Sequence, residues 1–235
     1  LRPRPMLEAA DLGVRLAQQQ AGTVARVYGP AALIVLMLAL STWWIAPLAP
    51  TVVLFFAKPW LDRAALLVFS HAAFGQPTAA AEAWQRRALL NLGGLVSALT
   101  LARLSPWRSY TQPVAQLEGL RGQAARRRRA LLLRGKRGAA LLQQSLFAQA
   151  ELLLTAALMS LVYWLTPFDA RGEGWPPAFL RGDDAWAYLF AGCQLVAGLL
   201  LEPFFVGAGF SMYLNRRVEL EAWDVEQELR RAFQH

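Results

Sequence analysis

The sequence is poor in the residues that build disulfides and metal sites. Its one cysteine, Cys193, lies inside an apolar run, so the chain has no disulfide framework and no cysteine-based metal site. Neither of its two histidines, His71 and His235, has a second histidine or a carboxylate at ligand spacing. These shortages argue against a metal enzyme, and we expect neither a metal ion nor a cofactor.

Catalytic and secretory motifs are also missing. The chain offers carboxylates but no histidine pair and no nucleophile beside a base, so the sequence does not favour an enzyme. The opening residues, LRPRPMLEAADLG, lack the apolar core and the small-residue cleavage site of a secretory signal. We therefore expect the apolar runs themselves to direct membrane insertion.

Apolar residues are abundant and clustered. At 56% hydrophobic and 17% charged residues, the chain is too apolar for an ordinary soluble domain. Four runs have at least the roughly 20 residues needed to cross a hydrocarbon core about 30 Å thick, namely residues 27–46, 51–74, 146–165 and 185–214. The sequence predicts an all-α polytopic membrane protein, a single membrane domain over residues 1–235 with four transmembrane helices.

The distribution of basic residues predicts the topology. Residues 76–145 hold twelve of the 24 lysines and arginines, and such residues stay preferentially on the cytoplasmic side. Counting the short run 89–104 as a fifth span would place much of this charge outside, so we predict an interfacial or partly re-entrant helix there. Both termini then lie in the cytoplasm, with the chain in a bacterial inner membrane.

Two further segments have a helical pattern of apolar and charged residues. Residues 6–22 predict a short amphipathic helix, either on the membrane surface or packed on the cytoplasmic side of the protein. Residues 215–235, with Arg217, Glu221 and Asp224, predict an acidic cytoplasmic helix. It either docks on the basic segment or faces another protein.

Several ionisable residues fall inside the apolar runs, where each costs roughly 2.5 to 3.5 kcal/mol on insertion scales. Lys58 and Asp62 are four residues apart and share a helix face, where they can pair. Arg63, Glu151 and Glu202 should reach a similar depth and form one buried polar cluster. Such a cluster is either glue between helices or a relay for protons or ions.

The strongest charge feature is a basic run in the middle of the chain. Beside a membrane, each basic residue gains about 1 kcal/mol from anionic headgroups. No aromatic or glycine pattern of an RNA-binding module surrounds the run, so we do not expect nucleic acid as a partner. The residues that would contact anionic lipid or a protein partner are Arg126, Arg127, Arg128, Arg129, Arg134, Lys136 and Arg137.

The ending EPFFVGAGFSMYLNRRVELEAWDVEQELRR resembles the C-terminal pattern of a group of uncharacterised bacterial multi-pass membrane proteins. The segments KPWLDR and RLSPWRSYTQPVAQLEGLRG are similar to that group as well. The group is distantly similar to the membrane domain found with some glycerophosphodiester phosphodiesterases, whose catalytic domain is absent here. Its members are often encoded beside AAA+ ATPases and other membrane proteins, which implies the role of a partner subunit.

Two functions follow as hypotheses. The first is a non-catalytic membrane subunit or scaffold that engages protein partners and anionic lipids at the cytoplasmic face. The second is a small transporter or channel, built as a homo-oligomer, whose path is lined by the lysine and the carboxylates of the apolar runs. Four spans are few for a monomeric carrier, and internal repeats are not evident.

Overall fold

The computed structural model describes residues 4–76, 105–166 and 184–232, with side chains as far as residue 221. In these ranges the chain forms seven α-helices and no strand, which confirms the all-α prediction for them. In chain order they are α1 (Met6–Gln19), α2 (Ala21–Ser41), α3 (Ala49–Ala73), α4 (Arg108–Gln116), α5 (Gly122–Leu133), α6 (Arg137–Leu165) and α7 (Ala185–Ala232). The predicted helix at 89–104 lies outside the described residues.

Three of the described helices are long and apolar enough to cross a membrane, namely Ala21–Ser41, Arg137–Leu165 and Ala185–Glu221. Helix α3 has the length, but every 18-residue stretch of it contains Lys58, Asp62 and Arg63. Helix α6 faces outward almost all round, since only 6% of its apolar stretch is buried. A helix that is apolar on every side and exposed is typical of a lipid-facing span.

The helix bounds depart from those predicted by hydropathy. Helix α2 starts at Ala21 rather than at 27, and α6 starts at Arg137, nine residues before the predicted run. The added turns of α6 contain alanine, leucine and glutamine, which favour helix, and the two glutamines make this stretch less apolar than the run that follows. The predicted last span and the predicted acidic helix are one unbroken 48-residue helix, α7.

Helix α7 is the centre of the fold and packs against α1, α3, α4 and α6. Its crossing with α1 is close because Gly13 and Gly207 face each other, and a Cβ on Gly207 would lie 2.7 Å from the Gly13 carbonyl oxygen. The buried side of α1 consists of Met6, Ala9, Ala10, Gly13 and Ala17. Of the two predicted placements of this segment, the structure has the helix packed on its own chain.

Helix α4 lies within the basic segment 76–145 and packs into the interior of the protein. Tyr110 and Val114 on α4 are fully buried, and a Cβ on Gly209 of α7 would lie 2.5 Å from Ser109. The basic charge was counted over the whole segment, and such a count does not predict a nine-residue helix whose uncharged side chains suit the interior. Part of the basic segment therefore belongs to the core.

Candidate functional site

The ionisable residues of the apolar runs meet between α3, α6 and α7. Lys58 Nζ lies 3.0 Å from Glu151 Oε2 and 3.1 Å from Glu202 Oε2, so one ammonium group joins three helices. The Glu202 side chain is 3% exposed. An isolated charge so deeply buried would be costly, and the pairing offsets that cost.

Arg108, the first residue of α4, completes the site. One of its terminal nitrogens lies 2.6 Å from Glu202 Oε1, and its Nε lies 3.2 Å from Asp62 Oδ2. The guanidinium also lies 5.6 Å from the ring centroid of Phe205, in cation–π geometry. We call Lys58, Asp62, Arg108, Glu151 and Glu202 the charge cluster.

The sequence predicted four of these five residues but not all of their partners. Lys58 pairs across helices with the two glutamates rather than with Asp62. Arg108 makes the ion pair with Glu202 that was expected of Arg63, which follows Asp62 by about 100° around the helix and so points to another side. Arg63 contributes a backbone carbonyl, which accepts a hydrogen bond from Gln116 Nε2 at 3.0 Å.

Uncharged polar groups support the cluster from neighbouring helices. Pro203 has no N–H, so the carbonyl of Leu199 loses its partner within α7, and the Tyr28 hydroxyl of α2 donates to it at 2.8 Å. Gln143 of α6 donates to the carbonyl of Phe205 at 3.2 Å. Neither group was predicted from the sequence, although a proline inside a helix leaves the carbonyl four residues earlier without its usual partner.

A cavity of about 570 Å³ opens beside the cluster, between α3, α6 and α7. Its polar lining includes Lys58, Arg108, Glu151 and Glu202, and phenylalanine and leucine side chains make up much of the rest. Gly198 gives Glu151 its room, since a Cβ there would lie 3.0 Å from Glu151 Oε1. A volume of this size suits a small ligand or a file of water molecules.

A second set of ion pairs joins the acidic part of α7 to the basic run. Lys136 Nζ lies 3.1 Å from Glu219 Oε1, and Arg216 donates to the other oxygen of that carboxylate at 2.7 Å. Glu118 accepts from the Tyr213 hydroxyl at 2.6 Å and pairs with Arg128 at 2.9 Å. The basic run and the C-terminal helix are thus docked on each other at these positions.

The rest of the basic run divides into supported and free side chains. The guanidinium of Arg137 lies 5.9 Å from the ring centroid of Trp107, and Arg129 is half-buried. Arg126, Arg127 and Arg134 are exposed, and their side chains form no ion pair with the described residues. On α7, Arg217 pairs with Glu221, whereas the side chain of Asp224 lies outside the described residues.

The chemistry of the site follows from this pairing. Each charged group of the cluster contacts at least one group of opposite charge, which holds the helices in register. Among the described residues, no three histidine, cysteine, aspartate or glutamate side chains are grouped so as to hold a metal ion. Comparison of the chain with protein-family models, with curated proteins and with solved structures gave no match.

Proposed function

We propose that this chain is a non-catalytic integral membrane subunit or scaffold of the bacterial inner membrane, which engages anionic lipids and protein partners at its cytoplasmic face. The observation that carries the proposal is a contrast between two sets of charges. The charges inside the bundle are paired with one another, whereas Arg126, Arg127 and Arg134 are exposed and free of ion pairs with the described residues.

Internal pairing supports a structural role for the charge cluster. Lys58 connects α3 to α6 and α7, and Arg108 connects α4 to α3 and α7. Polar side chains between membrane helices commonly serve as such connections. A scaffold needs a rigid set of helices, and the cluster supplies contacts at the point where they meet.

The proposal includes four membrane spans, formed by α2, α3, α6 and the apolar part of α7. The pairing of Lys58 and Asp62 with groups on other helices supports α3 as a span, since neither of these charges then faces lipid alone. Reporter enzymes fused after Gly138 and near Gly174 test the topology. We expect cytoplasmic activity from the first fusion and external activity from the second; the opposite result would contradict the model.

Lipid binding is tested on the purified full chain by native mass spectrometry with phosphatidylglycerol and with phosphatidylcholine. Replacing Arg126, Arg127 and Arg134 by glutamine should weaken phosphatidylglycerol binding by up to about 100-fold, from about 1 kcal/mol for each basic residue. The control carries the same three-charge loss at Arg4, Arg15 and Arg26, which lie outside the basic run. Equal losses in both variants, or equal retention of both lipids by the parent protein, would contradict a specific basic surface.

Partner binding is tested by gentle detergent extraction from native membranes followed by size-exclusion chromatography. A stoichiometric partner that is retained in Asp62→Asn and lost with the three arginines would support the scaffold. Because the cluster only holds helices together in this proposal, its conservative variant should keep the partner wherever the protein folds.

One observation favours a second candidate, a small oligomeric transporter or channel. Lys58, Glu151 and Glu202 line the cavity of about 570 Å³ as well as pairing with one another. A homogeneous homo-oligomer with a continuous aqueous path, whose flux in vesicles falls in Glu202→Gln while assembly is unchanged, would favour transport. Unchanged flux in that variant would contradict transport and favour the scaffold.

A further inference from the structure

The charge cluster contains more acids than bases. Lys58 and Arg108 supply two positive charges, and Asp62, Glu151 and Glu202 supply three negative charges. With every group ionised, one negative charge has no counterpart. Asp62 is 0% exposed and Glu202 is 3% exposed, so water solvates these two carboxyl groups poorly.

Asp62 is the member of the cluster with the fewest donors. Its one ion pair is the contact with Arg108 Nε at 3.2 Å, and neither of its oxygens receives a well-aligned hydrogen bond from the described residues. A buried carboxylate normally accepts several hydrogen bonds. This environment is therefore a poor one for the ionised form of Asp62.

Asp62 and Glu202 lie side by side. The same guanidinium contacts both carboxyl groups, through Nε for Asp62 and through a terminal nitrogen for Glu202. Two ionised carboxylates at this separation repel strongly. One proton between them replaces the repulsion with an O–H···O hydrogen bond.

Among the described residues, the other polar groups beside the cluster are already engaged. Lys58 on α3 is held by Glu151 of α6 and by Glu202, and the Tyr28 hydroxyl of α2 is committed to the Leu199 carbonyl. A proton from solvent is the smallest ligand that removes the excess charge.

We propose that the charge cluster is a proton-binding site, in which Asp62 and Glu202 share one proton that enters from the cavity lined by Glu202. The cluster is then neutral as a whole, and the proton exchanges with water through the cavity while Asp62 stays buried behind it. This goes beyond the scaffold proposal and does not depend on it, since the same proton fits a rigid subunit or a conducting one.

Infrared spectroscopy of the purified full chain in lipid vesicles tests the proposal. A protonated carboxylic acid has its own carbonyl stretching band, separate from that of a carboxylate, and the band shifts in heavy water. We expect one such band at neutral pH, its loss in Asp62→Asn, and its retention in Glu8→Gln, which alters an exposed carboxylate on α1. The absence of the band from the parent protein, or its persistence in Asp62→Asn, would overturn the proposal.

Folding provides a second readout. The amide of Asp62→Asn can donate to Glu202 as the shared proton does, so its melting temperature should stay close to that of the parent. Asp62→Ala has no donor and should melt well below both. Equal melting temperatures of the asparagine and alanine variants would overturn the shared hydrogen bond.

In the infrared experiment, loss of the carboxylic acid band from the parent protein on adding sodium chloride, but not choline chloride, would overturn the proton site and show a cation site instead.

Discussion

The replacement Gly13→Ala tests how α1 is held. In the structure its new Cβ would lie 2.1 Å from the carbonyl oxygen of Gly207, 2.5 Å from its carbonyl carbon and 2.7 Å from the Cα of Ala208. All three atoms belong to the backbone of α7, so no side chain can rotate away and the helices must separate. Overpacking of this kind costs about 1 to 3 kcal/mol.

Thermal unfolding in detergent, followed by tryptophan fluorescence, measures this effect. For a chain of this length, that cost should lower the melting temperature by about 2 to 12 °C. The matched control is Gly29→Ala on α2, where a Cβ has no heavy atom within 4 Å and alanine is favoured over glycine by about 1 kcal/mol. Trypsin should also cut after Arg15 sooner in Gly13→Ala.

Equal melting temperatures and equal trypsin resistance of the two alanine variants would contradict this packing. In that case α1 would not lie against α7, and the alternative predicted from sequence, a helix on the membrane surface, would be the better description.

Two further replacements test individual contacts. Arg108→Gln removes two buried ion pairs and should lower the free energy of unfolding by about 3 to 5 kcal/mol. Arg15→Gln, at an exposed ion pair, should change it by less than about 1 kcal/mol. Equal effects of the two replacements would mean that the cluster does not connect the helices. Tyr213→Phe removes the 2.6 Å hydrogen bond to Glu118 and should cost about 1.5 to 3 kcal/mol, and a loss below 0.5 kcal/mol (about the error of such a comparison) would show that the contact is unimportant.

Hydropathy predicted the coarse architecture because the signal is local. The run that became α6 is apolar over its own length, so no knowledge of its neighbours was needed to find it. Bounds were less accurate, since the residues from Gly138 to Ser145 are helical although they are less apolar than the run that follows. Hydropathy detects only the apolar part of a helix, and the helix can extend past that part.

The ion pairs within the charge cluster could not be predicted from the sequence. Lys58 and Asp62 share a helix face, as their spacing requires, but each finds a stronger partner on another helix. Arg108 was counted among the twelve basic residues of 76–145, and its contact with Glu202 spans 94 positions of the chain. Spacing along one helix says which side chains share a face, and packing decides what that face meets.

Glycine contacts were equally hidden. Gly13 lies on the apolar side of an amphipathic pattern, which predicts that the side is covered but not by what. The close approach to Gly207 depends on two helices that lie at opposite ends of the chain. From the sequence alone, a glycine in a helix indicates only a residue that destabilises the helix relative to alanine.

A double-mutant cycle on Lys58 and Glu151 tests the central claim most directly, namely that paired charges join these helices. Lys58→Met and Glu151→Gln should each destabilise the protein, and the double variant should be more stable than the sum of the two effects predicts by about 1 to 3 kcal/mol. Strict additivity of the two effects in the free energy of unfolding would contradict the claim.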